Sequence, residues 1–189
     1  MSVPFLTFNC NACGYQKSSF VATGRFLWTH NGSLFNFFPT LGVCKSCYEI
    51  VAIEGIPDKS TFIRAKQLHR QGSKSAAWLF DKDPAKKLAY QNSFAILELV
   101  MKQGRKPVCL SCGSPNCQKI DIPKIYQDSK ISDISPSPIG IQHPGCHGEL
   151  YVEGSGTTRM HVMPKTHYFG IKGNYITTLH GREGHLKLE

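Results

Sequence analysis

Cys10-Asn11-Ala12-Cys13-Gly14 and Cys44-Lys45-Ser46-Cys47 are followed, much further along the chain, by Cys109-Leu110-Ser111-Cys112-Gly113 and His143-Pro144-Gly145-Cys146. Each member of the second set lies 99 positions after its counterpart: Cys10 to Cys109, Cys13 to Cys112, Cys44 to His143 and Cys47 to Cys146. The same offset carries Val51-Ala52-Ile53-Glu54-Gly55 onto Leu150-Tyr151-Val152-Glu153-Gly154. Each copy therefore reads as two ligand pairs, widely spaced, then a short apolar strand ending in Glu-Gly. The pattern points to a duplicated metal module. Two residues between paired ligands let both reach one tetrahedral ion from a tight turn, and thiolate with imidazole suits zinc.

The simplest arrangement lets each copy close on its own ion. The first set is then Cys10, Cys13, Cys44 and Cys47, and the second Cys109, Cys112, His143 and Cys146. Cys117 and His147 lie close enough in sequence to compete for the second set, but the repeat alignment passes over both. Cys117 then becomes a small apolar strand residue, and His147 stands where the first copy has Tyr48. With protein ligands in all four positions, both sites are closed and structural rather than catalytic.

Cys-x-x-Cys-Gly with a distant second pair resembles the zinc ribbon and its rubredoxin-type knuckles. The resemblance covers the eight ligand positions and their adjoining strands. It implies two structural zinc ions, and a role in gripping nucleic acid or docking other proteins.

The 189 residues carry a formal net charge of +9. That charge is uneven. Residues 56–108 hold eleven Lys and Arg against four Asp and Glu, whereas residues 109–154 hold three against five. A basic segment favours an anionic partner, most often nucleic acid. Lys59, Arg64, Lys66, Arg70, Lys74, Lys86 and Lys87 are the candidate phosphate contacts. The longest apolar stretch, Phe94 to Met101, is interrupted by Glu98 and is too short to span a membrane. Met1 to Phe5 lacks the basic start of a secretory signal, so a cytoplasmic, thiol-reducing location is expected, which favours metal over disulfides.

Local signals fill in the rest. Asn31-Gly32 between Arg25–Thr29 and Leu34–Phe38 predicts a hairpin, because both turn positions need positive φ. Asp58 or Ser60 caps a helix closed by Gly72. Asp83-Pro84 starts a second that stops at Gly104, apolar on two faces and so expected to pack on both metal modules. The aromatic residues crowding 1–55 read as core for a thin module. Met160–Met163, Tyr168–Ile171 and Asn174–Leu179 read as strands completing the second half.

The expected fold is α+β: zinc ribbon 1 over 1–55, a basic helical insert over 56–108, and zinc ribbon 2 with a β-rich extension over 109–189. The expected function is a non-enzymatic zinc module contacting nucleic acid. Two rivals stand beside it. One is a protein-docking subunit. The other is a metal-dependent hydrolase using His161, His167, His180 and His185 of the tail.

Overall fold

The computed structural model describes residues 2–19, 25–70, 84–121, 135–159 and 165–180. The architecture is mixed α+β, with mostly antiparallel sheets and two helices among the described residues. The first sheet has the order β2-β1-β9-β8, from β1 (Ser2–Cys10), β2 (Gln16–Ser19), β8 (Ser137–Gln142) and β9 (Glu149–Arg159). The second runs β11-β10-β3-β4, from β3 (Arg25–His30), β4 (Ser33–Phe37), β10 (Lys165–Gly170) and β11 (Tyr175–His180). The third, β6-β5-β7, joins β5 (Pro39–Cys44), β6 (Glu49–Glu54) and β7 (Cys117–Lys119). Helices α1 (Lys59–Arg70) and α2 (Pro84–Lys102) lie between β6 and β7 in the chain.

Several local expectations hold. Asn31 at φ 48° and Gly32 at φ 71° turn β3 into β4, with His30 opposite Ser33. Two left-handed residues in succession give the turn the twist that antiparallel strands require. Asp58 caps α1: one carboxylate oxygen accepts from the Thr61 amide at 2.8 Å and the other from the Thr61 hydroxyl at 2.7 Å. The three bonds that it takes from Thr61 and from the Ser60 hydroxyl hold its carboxyl far below the usual range. Gly104, at φ 62°, ends α2 with its amide on the Met101 carbonyl. Gly72 and Asp83 lie outside the described residues.

Two clusters of buried side chains form the core. The first joins the first and third sheets: Leu6, Phe8, Leu150 and Val152 meet Leu41, Val43, Ile50 and Ile120. The second lies between the second sheet and α2, where Phe26, Trp28, Phe37 and Phe169 receive Ile96 and Val100. The Trp28 and Phe37 rings stack at 4.5 Å. The aromatic residues of the amino-terminal segment do build core, as expected. Phe38, 77% exposed, and Tyr48, 56% exposed, are exceptions.

One longer-range expectation holds in part and one is corrected. Helix α2 packs Ile96 and Val100 on residues of both halves, Phe26, Trp28 and Phe37 of 1–55 and Phe169 of 109–189, through the aromatic second sheet. The tail strands complete the first half of the chain, not the second. β10 runs parallel to β3 in the register Thr166 to Arg25 and Tyr168 to Leu27, and β11 pairs on its far side. Strand propensity made 165–180 β, but the edge it joins is the one left open by the β3–β4 hairpin. Met160–Met163 lie outside the described residues.

A buried ion pair ties the layers together. Glu54 is fully buried; it accepts from Trp28 Nε1 at 2.9 Å, from the Val108 amide at 3.2 Å, and from both terminal nitrogens of Arg105. Arg105 also donates to the Ile171 carbonyl from Nε at 3.0 Å and from a terminal nitrogen at 2.8 Å. Gly55 follows because a Cβ there would stand 1.8 Å from the Phe38 carbonyl oxygen.

Candidate metal centres

Three of the ligand pairs sit where a strand breaks into a tight turn, and the fourth begins at Cys109, bridged to Ile53. β1 ends at Cys10, whose amide donates to the Tyr15 carbonyl at 3.1 Å; the Cys109 amide repeats this on Ser114 at 2.8 Å. The amides of Ala12 and Ser111, again 99 apart, point at Cys10 Sγ (3.5 Å) and Cys109 Sγ (3.4 Å). In the other pair of turns, Tyr48 and His147 take the same left-handed conformation, at φ 59° and 61°. Local geometry therefore recurs at the offset seen in the sequence.

These turns meet in an order the sequence did not suggest. Cys10 and Cys13 join His143 and Cys146, while Cys44 and Cys47 join Cys109 and Cys112. Within each group the donor atoms all lie within 4.8 Å of one another. The sets expected from the repeat, Cys10, Cys13, Cys44, Cys47 and Cys109, Cys112, His143, Cys146, are thus corrected: the first turn of each expected set meets the second turn of the other. Sheet pairing is the cause. β1 lies against β9 with Cys10 opposite Leu150, which places the first turn beside residues 143–146. β5 lies against β7 with Cys44 opposite Cys117, and Ile53 bridges to Cys109, which closes the other group.

The spacing of the all-cysteine group matches a tetrahedral ion, and the sulfurs of the mixed group stand closer together. A Zn–S bond of about 2.3 Å implies a sulfur–sulfur edge of about 3.8 Å. In the all-cysteine group Cys44–Cys112 and Cys47–Cys109 are both 3.8 Å apart. In the mixed group Cys10–Cys146 is 3.3 Å, Cys13–Cys146 3.4 Å, and His143 Nδ1 stands 3.5 Å from Cys13 and 3.3 Å from Cys146. All eight cysteines are free thiols. His143 Nε2 faces the Tyr48 carbonyl at 3.3 Å, so the proton belongs on Nε2 and the lone pair of Nδ1 faces the sulfurs. Tyr15 stacks on the imidazole at 4.4 Å. The turn that supplies Cys47 to one group therefore orients the histidine of the other.

The thiols are electrostatically unequal. Burial pushes Cys44 up, but the amides of Cys47 and Ser46 and the thiols of Cys47 and Cys112 outweigh it, lowering Cys44 to about 7. Cys47 is raised, first by its bond to Cys112 and then by burial. Cys109 is raised by burial. In the mixed group burial again opposes, yet the Ala12 amide and Cys146 leave Cys10 lowered. The Gly148 amide lowers Cys146, but Cys10, burial and Cys13 raise it to about 11. Each group thus sets a lowered thiol, Cys44 or Cys10, beside a raised one, Cys47 or Cys146, whose proton a bound dication would displace.

Two competitors for the ligand positions stand aside. Cys117 donates its thiol to the Ser114 carbonyl at 3.4 Å, and burial followed by the nearby Cys44 pushes it up to about 12. His147 is exposed. Gly148 is fixed by the mixed group, since a Cβ there would lie 2.5 Å from Ala12 Cβ and 2.6 Å from Cys10 Sγ. Gly148→Ala is expected to weaken metal retention at that group while leaving the all-cysteine group loaded, read by metal content after mild chelation.

The candidate phosphate contacts fare differently. Lys59 and Arg64 are exposed on α1. Lys66 is not free: Nζ pairs with Glu98 of α2 at 2.8 Å and lies 5.7 Å from the centroid of the Phe62 ring, fastening helix to helix. Arg70, Lys86 and Lys87 lie on helices whose side chains there are outside the described set, and Lys74 lies outside the described residues altogether. Of the tail histidines, His167 bonds Thr178 at 2.8 Å and stacks on Phe26, away from any candidate ligand group. His180 ends β11; His161 and His185 lie outside the described residues. No helix among the described residues is long and apolar enough to cross a membrane.

One surface escaped the sequence reading. A cleft of about 500 Å³ runs between the turns holding Tyr48 and His147, with Ile141 and His143 in its floor. The available signal was the residue after each second ligand: Gly113, at φ 73°, is a cheap choice there, whereas Tyr48 and His147 are not. Comparison of the chain with protein-family profiles, with curated proteins and with solved structures returns no match.

Proposed function

We propose that the chain is a non-enzymatic module built around two structural zinc ions, and that its partner is a nucleic acid. The observation that carries the reading is the closure of both groups: four donors within 4.8 Å of one another leave no position for water or substrate. The tetrahedral edges of the all-cysteine group and the histidine held by its outer nitrogen support zinc as the ion. The matched turns 99 residues apart support a duplication in which the copies have exchanged their second knuckles. The net charge of +9, with Lys59 and Arg64 exposed, supports an anionic partner.

The test is the salt dependence of binding to labelled duplex and single-stranded oligonucleotides. With roughly three phosphate contacts, affinity is expected to fall about 40-fold between about 50 and about 200 mM salt. Reversing Lys59 and Arg64 to Glu should weaken binding for all sequences alike, since phosphate contacts carry no sequence information. Binding that is absent at low salt sinks the nucleic-acid reading.

A protein-docking role has one observation of its own. Phe38 stands exposed beside an apolar pocket of about 180 Å³ lined by Trp28, Phe37, Phe94 and Leu97. Large exposed rings beside apolar pockets are common at protein interfaces.

A further inference from the structure

The cleft between the two second knuckles combines features that metal binding does not require. Tyr48, Lys45, Gln118, Gln142 and His147 all line it, and all five are exposed. Among the described residues none of these five side chains is engaged in a hydrogen bond or ion pair. No acidic residue lines the cleft. Its two walls come from chain segments on different sheets, and the ion-holding turns fix both. It is therefore a preformed concavity of the size that small-molecule sites occupy.

The backbone at its rims is unusual. Tyr48 and His147 hold φ values of 59° and 61°, a region uncommon for any residue but glycine, in which histidine is tolerated better than tyrosine. The corresponding place after Cys112 is Gly113, at φ 73°. A ring is kept on each side of the cleft where glycine would fold more easily. Residues held in such conformations concentrate at ligand sites.

We propose that this cleft holds one unstacked nucleotide of a single-stranded nucleic acid. The base lies on the exposed face of Tyr48. The amides of Gln118 and Gln142, each both donor and acceptor, read its edge, and Lys45 takes the adjoining phosphate. A duplex cannot use the site, because its bases are already stacked and paired. The proposal rests on the nucleic-acid reading above and names where and how a single strand is held.

The test compares wild type, Tyr48→Gly and Tyr48→Phe for binding labelled oligothymidine and oligouridine of about twelve nucleotides. Metal content and melting temperature are measured alongside. Tyr48→Gly keeps the carbonyl that orients His143 and relieves the left-handed strain, so it should retain the ions and melt at an equal or higher temperature. Its affinity for single strands should fall roughly 5- to 150-fold, the worth of one stacked base, while duplex affinity stays unchanged. Tyr48→Phe should bind as wild type does, because the ring face is kept. Equal affinity for wild type and Tyr48→Gly, with both ions in place, overturns this site and leaves the wider reading standing. Loss in Tyr48→Phe equal to that in Tyr48→Gly overturns it too. Wild type that binds no oligonucleotide at all removes the wider reading and this site with it.

Discussion

Cys13→Ser and His143→Ala, combined in one chain, are expected to release a single zinc equivalent, the same one that each releases alone. Both residues belong to the group of Cys10, Cys13, His143 and Cys146, so the second substitution finds the ion already lost. Cys13→Ser combined with Cys44→Ser should instead release both ions, because Cys44 belongs with Cys47, Cys109 and Cys112. If each copy closed on its own ion, the outcomes would be reversed: two equivalents from the first pair and one from the second. Elemental analysis of the purified variants under reducing conditions decides between them. The effect on folding should be large. Structural zinc binding contributes apparent values of about 10–16 kcal/mol in small metal modules, and here each ion joins segments more than sixty residues apart in the chain. Losing the ion of the mixed group should therefore loosen the first sheet, seen as lost protection of the Leu150 amide in hydrogen exchange, and losing that of the all-cysteine group the third, seen at the Val43 amide.

The eight donors could be read from the sequence because each pair is a local property. Two cysteines three positions apart in a tight turn present both sulfurs on one side, whatever the rest of the chain does. The Asn31-Gly32 hairpin and the Asp58 cap were legible for the same reason: a few neighbouring residues fix the φ values or supply the hydrogen bond. Which turn meets which is decided elsewhere, by β1 choosing β9 and β5 choosing β7. Those pairings join residues whose separation along the chain leaves no periodic mark. The repeat even argued for the wrong partners, since two similar copies can close on themselves or exchange halves with nearly the same local contacts.

Lys66 shows the same limit in electrostatics. Its charge was visible, but its partner Glu98 lies 32 residues away on another helix. The ion pair pulls Glu98 below the usual carboxylate range, through the bond and charge of Lys66 first and of Lys102 after it. A basic residue counted for a nucleic acid turned out to be fastening α1 to α2. The Glu-Gly ends of the two repeats diverge similarly. Glu153 is bonded by the Asn9 side-chain amide at 3.1 Å near the surface, whereas Glu54, at the matching position, became the buried acceptor for Trp28 and Arg105.

Arg105→Met is the substitution expected to cost most outside the metal groups. It removes the cation facing a fully buried carboxylate and strands the Ile171 carbonyl in the same step. Leaving one member of a buried pair without its partner costs about 3–5 kcal/mol, against less than about 1 kcal/mol for an exposed pair. Urea unfolding of the metal-loaded protein reads the difference. Glu54→Gln combined with Arg105→Met should recover part of the loss, because the glutamine amide is uncharged and its oxygen still accepts from Trp28 Nε1. A loss below about 1 kcal/mol for Arg105→Met would place the pair with ordinary surface ion pairs and remove its role as the tie between β3, β6 and the β10–β11 turn. Recovery in the double variant carries a second consequence. The hydrophobic cluster of Leu6, Phe8, Leu41 and Val43 holds the first and third sheets to each other, and the Glu54–Arg105 pair holds the second sheet to the third. A variant lacking only the pair should therefore lose protection first at Trp28 and Phe169, while the metal content stays unchanged.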